Sequence, residues 1–90
     1  MMKEIVISGS HMTSIEAAHE YIARKLNFPT YYGGNLDALW DVLSTLSEPM
    51  KVTMIHLDKL HSCLGQFGED LVNVFIEAAL NNEHLHFEIN

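Results

Sequence analysis

The sequence predicts a small α/β domain in which a three-stranded parallel sheet carries its helices mainly on one face. Three observations lead to that prediction. Short β-branched or alternating segments, typical of strands, occur near the start, in the middle and at the end of the chain. The longer segments between them repeat their apolar residues at helical spacing. Strands separated by helices favour a parallel sheet with right-handed crossovers, and we expect residues 1–90 to form a single domain.

The first two predicted elements are a strand and a helix. Residues 5–7 are a β-branched run that reads as a strand. The spacing from Thr13 to Glu16 matches a capping box and predicts a helix over residues 14–26. We expect the helix to stop at Asn27. Its predicted buried stripe consists of Ile15, Ala18, Ile22 and Leu26.

The second predicted helix covers residues 36–46. Asn35 is a good N-cap, because its side-chain oxygen can accept from the free N–H groups of the first turn. Asp37 and Asp41 lie together on one face, where like charges repel and destabilise a helix slightly. Folding alone does not favour this pair, whereas a cationic partner would. The apolar face of this helix comprises Leu36, Leu39, Trp40, Leu43 and Leu46.

The second half of the chain repeats the alternation of strand and helix. Residues 51–57 predict a strand, and Asp58 can cap a short helix that ends near Gly65. A longer helix is expected from about Gly68 to Asn82. Its end is predicted at Asn82 because asparagine tolerates the left-handed conformation of a helix end. Its predicted buried residues are Leu71, Val74, Phe75, Ala78 and Ala79.

The last predicted strand, residues 84–89, alternates strictly between polar and apolar side chains. This alternation predicts a strand that is buried on one face only. The polar face would carry His84, His86 and Glu88, and the apolar face Leu85, Phe87 and Ile89.

The charge of the chain bears on its partners. Twelve acidic and five basic residues give a net charge of −7. Such a surface repels nucleic acid and anionic membranes, so we expect neither as a partner. It attracts basic proteins, although acidity can also serve solubility alone.

Cys63 is the only cysteine, which excludes an internal disulfide and fits a reducing compartment. Neither a signal-peptide pattern nor an apolar run approaching ~20 residues is present. We therefore expect the protein to be cytoplasmic.

We expect no catalytic residue, cofactor or metal site. The two aspartates share one exposed face and lack the contrasting environments that separate an acid from a base. His84, His86 and Glu88 are too few for a specific zinc site and are better explained as solvent-facing strand residues. Cys63 is expected to be a small core residue rather than a nucleophile.

The loop before the second helix combines aromatic residues with glycine. Tyr31 and Tyr32 are stiff and amphipathic, which suits an interface, although we expect Tyr32 to pack beneath the loop. Gly33 and Gly34 allow a tight turn and a close approach by a partner. Trp40 is expected to face the core, with its indole edge free to border an interface.

The segment from Tyr31 to Asp41, with Phe28-Pro29 before it and residues 74–78 near the C-terminus, resembles the barstar family. That family consists of small intracellular inhibitors of barnase-type ribonucleases. The resemblance implies that the loop and second helix enter the nuclease active site, with Asp41 deepest among its basic side chains. It also implies a second charged contact at Glu77. The partner-binding residues that the resemblance implies are Tyr31, Gly33, Asn35, Asp37, Trp40, Asp41 and Glu77. Gly34 is expected to join them because glycine allows a close approach by the partner.

The sequence therefore predicts a protein that is not an enzyme and that inhibits a basic, barnase-type ribonuclease by occluding its active site. It is expected to be a monomer when free. The alternative is a non-inhibitory binding module for another basic protein or toxin. This alternative stays open because Gly34 and Asn81 stand where the family has acids.

Overall fold

A computed structural model describes residues 2–30 and 32–90, which form three strands and four α-helices around one sheet. A short 3-10 turn, Gly9–His11, follows the first strand. In chain order the elements are β1 (Lys3–Ser8), α1 (Ile15–Leu26), α2 (Leu36–Ser44), β2 (Met50–Ile55), α3 (Leu57–Leu64), α4 (Gln66–Asn81) and β3 (Leu85–Ile89).

The sheet has β2 at its centre, parallel to β1 on one side and to β3 on the other. Its register places Ile5, Val52 and Phe87 in one row, on the face that packs against the helices. The opposite face carries an ion pair between Lys51 Nζ and Glu88 Oε2 at 3.5 Å. The predicted α/β fold, with a parallel three-stranded sheet, is therefore confirmed.

The helices α2 and α4 pack on each other and both contribute to the core. Leu39 and Leu43 of α2 are fully buried, as are Leu71 and Phe75 of α4. The ring of Phe75 stacks on that of Phe87, with centroids 5.0 Å apart. This packing holds α2 by its apolar side and leaves its other side in solvent.

Two predicted helix starts are wrong in detail. α1 is capped by Ser14 rather than by Thr13, since Ser14 Oγ accepts from Ala17 N at 3.0 Å. Both residues can cap, so the sequence pattern alone did not distinguish them. α3 begins after His56, which adopts a left-handed conformation (φ 55°), and Asp58 lies within the first turn instead of capping it.

The predicted end of α2 at residue 46 is also wrong, because the helix stops at Ser44. Hydroxyl groups compete there for the last carbonyls. Ser44 Oγ donates to Trp40 O at 2.7 Å, and Thr45 Oγ1 donates to Asp41 O at 2.7 Å. Such side-chain bonds offer the backbone an alternative to a further helical turn.

Several predicted burial assignments need correction. Cys63 is exposed, because α3 is short and turns mainly Leu60 toward the core. Ile15 is 49% exposed, since it is the first residue of α1 and lies at the end of the buried stripe. On α4, Val72 is buried, whereas Val74 is only partly buried.

Asn82 follows α4 in an extended rather than a left-handed conformation, with φ −135° and ψ 111°. Its side chain is buried and reaches the end of α2, where Nδ2 donates to Leu43 O at 3.0 Å and to Leu46 O at 3.1 Å. Its Oδ1 accepts from His84 N at 3.0 Å. One amide therefore joins the ends of α2 and α4 to the start of β3.

Candidate protein-binding site

The loop between α1 and α2 is formed by local backbone turns. Asn27 ends α1 in the left-handed conformation (φ 58°), which asparagine adopts more readily than most residues. The N–H of Tyr32 then donates to Pro29 O at 3.1 Å. Gly34 has φ 68°, so the chain needs glycine there to turn into α2 at little cost. Tyr31, a predicted contact residue, lies outside the described residues.

Tyr32 attaches this loop to the body of the protein. Its hydroxyl lies 2.6 Å from His19 Nδ1 on α1, and its ring meets the ring of Phe28 with centroids 5.1 Å apart. Burial raises the pKa of Tyr32 to about 12 and lowers the pKa of His19. The prediction that Tyr32 packs beneath the loop is confirmed, but its hydrogen-bond partner lies on α1 rather than within the loop.

Asn35 determines where α2 begins. It adopts an extended backbone conformation, and its Oδ1 accepts from Ala38 N at 2.7 Å. The predicted N-cap is therefore confirmed. Because the cap sets the start of the helix, Asp37 lies in its first turn, where the helix dipole favours an anion.

The two aspartates of α2 are free in the described part of the chain. Asp37 and Asp41 are exposed, and neither carboxylate forms a hydrogen bond or ion pair with residues 2–30 and 32–90. The sequence has neither Lys nor Arg from 26 to 50 or from 60 to 90, so α2 and α4 carry acids but no lysine or arginine. These carboxylates can therefore pair with cations of another molecule.

Trp40 and Gly33, two further predicted contact residues, differ in burial. Trp40 is half-buried and packs against the core, as predicted, so it helps to fix the orientation of α2. Gly33 is exposed. A Cβ at Gly33 would lie 3.4 Å from the Cβ of Ala38, which is the near limit of ordinary van der Waals contact.

Glu77 lies on α4, the helix that packs beside α2, and its side chain is exposed. Its carbonyl accepts from Asn81 Nδ2 at 2.8 Å, a bond within the same helix. The structure thus places Gly33, Gly34 and the aspartates on one loop–helix segment, with Glu77 on the neighbouring helix.

His19 is a residue of this region that sequence reasoning missed. It is 4% exposed and contacts Tyr32 directly. It follows Ile15 by four residues and precedes Ile22 by three, so it falls on the apolar stripe of α1. That spacing could have indicated a buried histidine, but only the fold reveals that its partner is in the loop.

Residues 2–30 and 32–90 do not gather three or more His, Cys, Asp or Glu side chains in a way that could hold a metal ion. The helices in this part of the chain are also too short or too polar to cross a membrane.

An α/β domain that presents unpaired carboxylates on an exposed loop–helix segment has the features of a small protein-binding domain. Comparison with known proteins gives its family. The family described as Barstar (barnase inhibitor) matches residues 2–90. A Bacillus subtilis (strain 168) protein named "Putative ribonuclease inhibitor YrdF" is 37% identical over 78 residues, which cover 86% of each chain. The chain belongs to the barstar family, whose members are inhibitors rather than enzymes.

Proposed function

We propose that this protein binds a barnase-type ribonuclease and inhibits it by covering its active site with the loop before α2 and with α2 itself. It acts in the cytoplasm as a single domain over residues 1–90 and is a monomer when free. The proposed contact residues are Tyr31, Gly33, Gly34, Asn35, Asp37, Trp40, Asp41 and Glu77.

The observation that carries this proposal is the pair of exposed, unpaired carboxylates of Asp37 and Asp41. A ribonuclease must bind phosphate, and side chains that grip phosphate also grip carboxylate, arginine in a bidentate manner. A carboxylate held in a phosphate subsite excludes RNA without any chemical step. The repulsion between the two acids, roughly 0.2–0.5 kcal/mol in an isolated helix, is relieved when cations pair with them.

The remaining contacts have supporting roles in this arrangement. Asp37 is in the first turn of α2, next to the loop, whereas Asp41 lies one turn further along the helix. We assign Asp41 to the centre of the contact and Asp37 to its edge. Gly33 and Gly34, both exposed and without side chains, let the nuclease approach the backbone closely.

Inhibition of RNA cleavage tests the proposal directly. Purified protein should suppress a barnase-type ribonuclease in competition with RNA and should saturate at one inhibitor per enzyme. Glu83→Ala, which removes an exposed acid outside α2 and α4, is the matched control and should inhibit like the wild type. A panel of such ribonucleases that keeps full activity at micromolar inhibitor would contradict the proposal. Binding without inhibition would favour the alternative binding module.

Association with the ribonuclease should be fast at low salt and should slow as salt is added. An inhibitor of net charge −7 attracts a basic enzyme over long range, and salt screens that attraction beyond ~10 Å at 0.1 M. Stopped-flow mixing should show an association rate that falls with ionic strength and a dissociation rate that changes less. An association rate independent of salt would contradict electrostatic steering.

A further inference from the structure

His19 is a buried titratable residue that contacts the loop before α2. It is 4% exposed and lies on α1. Its Nδ1 is 2.6 Å from the hydroxyl of Tyr32, and its ring packs edge-on against Phe67, with centroids 5.6 Å apart. His19 therefore connects α1, the loop and the first turn of α4.

The surroundings of His19 suit a neutral ring. Its Nε2 is buried and has no hydrogen-bond partner within residues 2–30 and 32–90. Over the same residues, no carboxylate oxygen lies within 4.0 Å of either ring nitrogen. A protonated imidazole carries two N–H donors and a charge, which is unfavourable where one donor lacks an acceptor. Burial accordingly lowers the pKa of His19.

The charged groups near His19 do not compensate for a positive charge on its ring. Glu20 and Arg24, also on α1, line the open pocket beside it, and their charges are opposite. The described loop residues that line this pocket are uncharged. From α4, Phe67 contributes an aromatic ring, while the carboxylate of Asp70 accepts a hydrogen bond from a glutamine of its own helix at 3.0 Å.

We propose that His19 is a positioning residue that holds the loop through Tyr32 while its ring is neutral and releases the loop when it is protonated. Gly33, Gly34 and Asn35 follow Tyr32 directly, so loss of the Tyr32 contact frees the segment that leads into α2. The consequence for ribonuclease binding rests on the proposed function: acidification weakens the complex. The effect on the loop itself does not depend on any partner.

The direction of the pH effect follows from proton linkage. In the unfolded chain His19 has a pKa of about 6.5, and in the folded chain its pKa is lower. As the pH falls, the unfolded chain therefore takes up the proton first. Stability due to His19 is complete above about pH 6.5 and declines as the pH falls toward the folded-state pKa. A released loop exposes the ring in the same way, so acid also favours release.

An NMR titration of the free protein tests the loop effect without any ribonuclease. Between about pH 8 and about pH 5, the His19 ring should titrate below its ordinary pKa of about 6.5. The amide signals of Gly33 and Gly34 should shift or broaden in that same step. His11, which is exposed and stacked on Tyr21, is the internal reference. Glycine amides that stay constant while His19 titrates would overturn the proposal.

Two variants test the consequence for binding. His19→Phe keeps a ring against Phe67, and His19→Asn keeps a polar group near the position of Nδ1, but neither titrates in this range. One coupled proton changes a binding constant by at most about tenfold per pH unit. Between about pH 7.5 and about pH 5.5, wild-type affinity should therefore fall several-fold more than that of either variant. His11→Phe should behave like the wild type.

The outcomes separate this proposal from the proposed function. Titratable groups of the ribonuclease change the affinity of the wild type and of all the variants equally, so their effect cancels in the comparison. An equal loss of affinity in the wild type and in both His19 variants would overturn the link to binding. If no barnase-type ribonuclease binds at any pH, the proposed function fails, and the glycine amide signals still decide whether His19 holds the loop.

Discussion

Asp41→Ala is expected to weaken binding to a barnase-type ribonuclease by about 4 kcal/mol or more, which is the upper range for a charged interface hot spot. Asp37→Ala should cost less, because Asp37 lies next to the loop and part of its charge serves the helix dipole. Titration calorimetry of both variants, with Glu83→Ala as control, measures these differences.

The same two variants should fold normally. The carboxylate of Asp41 makes no contact with a charged or hydrogen-bonding group of the described residues, so its removal leaves the core intact. Relief of the repulsion between the two acids should leave the isolated protein as stable as before or slightly more so. Urea unfolding tests this expectation. A large drop in the urea midpoint with unchanged affinity would mean that the acids are structural.

Asn82→Ala is expected to destabilise the protein by about 3 kcal/mol. The substitution removes a buried amide that bonds Leu43 O, Leu46 O and His84 N. Each buried group left without a partner costs roughly 1–3 kcal/mol, and water that enters the site recovers part of this. The midpoint of urea unfolding should therefore fall, with little change in its slope.

Asn81→Ala is the matched control for Asn82. Asn81 is the same residue type one position earlier, but its side chain is exposed and bonds to Glu77 O of its own helix. We expect its substitution to change stability by less than about 0.5 kcal/mol, as is usual for surface positions. Equal losses of stability at the two positions would show that the hydrogen bonds of the buried Asn82 amide do not stabilise the contact between α2 and α4.

The order and type of the elements could be predicted from the sequence, because the repeat of apolar residues that is typical of a helix or a strand is visible within a short segment. The long, regular apolar pattern of α4 and the alternation in β3 are examples. The N-cap at Asn35 was also predictable, since its bond to Ala38 N spans three residues. Ser14 shows the limit of such reasoning, because it and the preceding Thr13 have similar capping ability. The start of α3 shows it differently, because His56 turns the chain with a left-handed backbone and makes no side-chain cap bond.

Only part of the candidate site could be predicted from the sequence. Asp37 and Asp41 could be placed on one exposed helix face from their spacing alone, since no contact outside α2 is needed to fix it. The position of Glu77 relative to the two aspartates could not be predicted from the sequence, because it depends on how α4 packs against α2. The exposure of Cys63 was predicted wrongly for a related reason: a short helix offers too few turns to reveal which side meets the core.

The sequence by itself determined the fold class, the cap of α2 and the carboxylate pair that the proposed function uses. Only the tertiary structure decided that Asn82 joins α2 to α4 and that His19 meets Tyr32. The first contact spans 39 residues and the second 13, so no local pattern encodes either of them. Both are hydrogen bonds between polar side chains and distant groups, and they exist because apolar packing of the helices on the sheet brings those groups within reach.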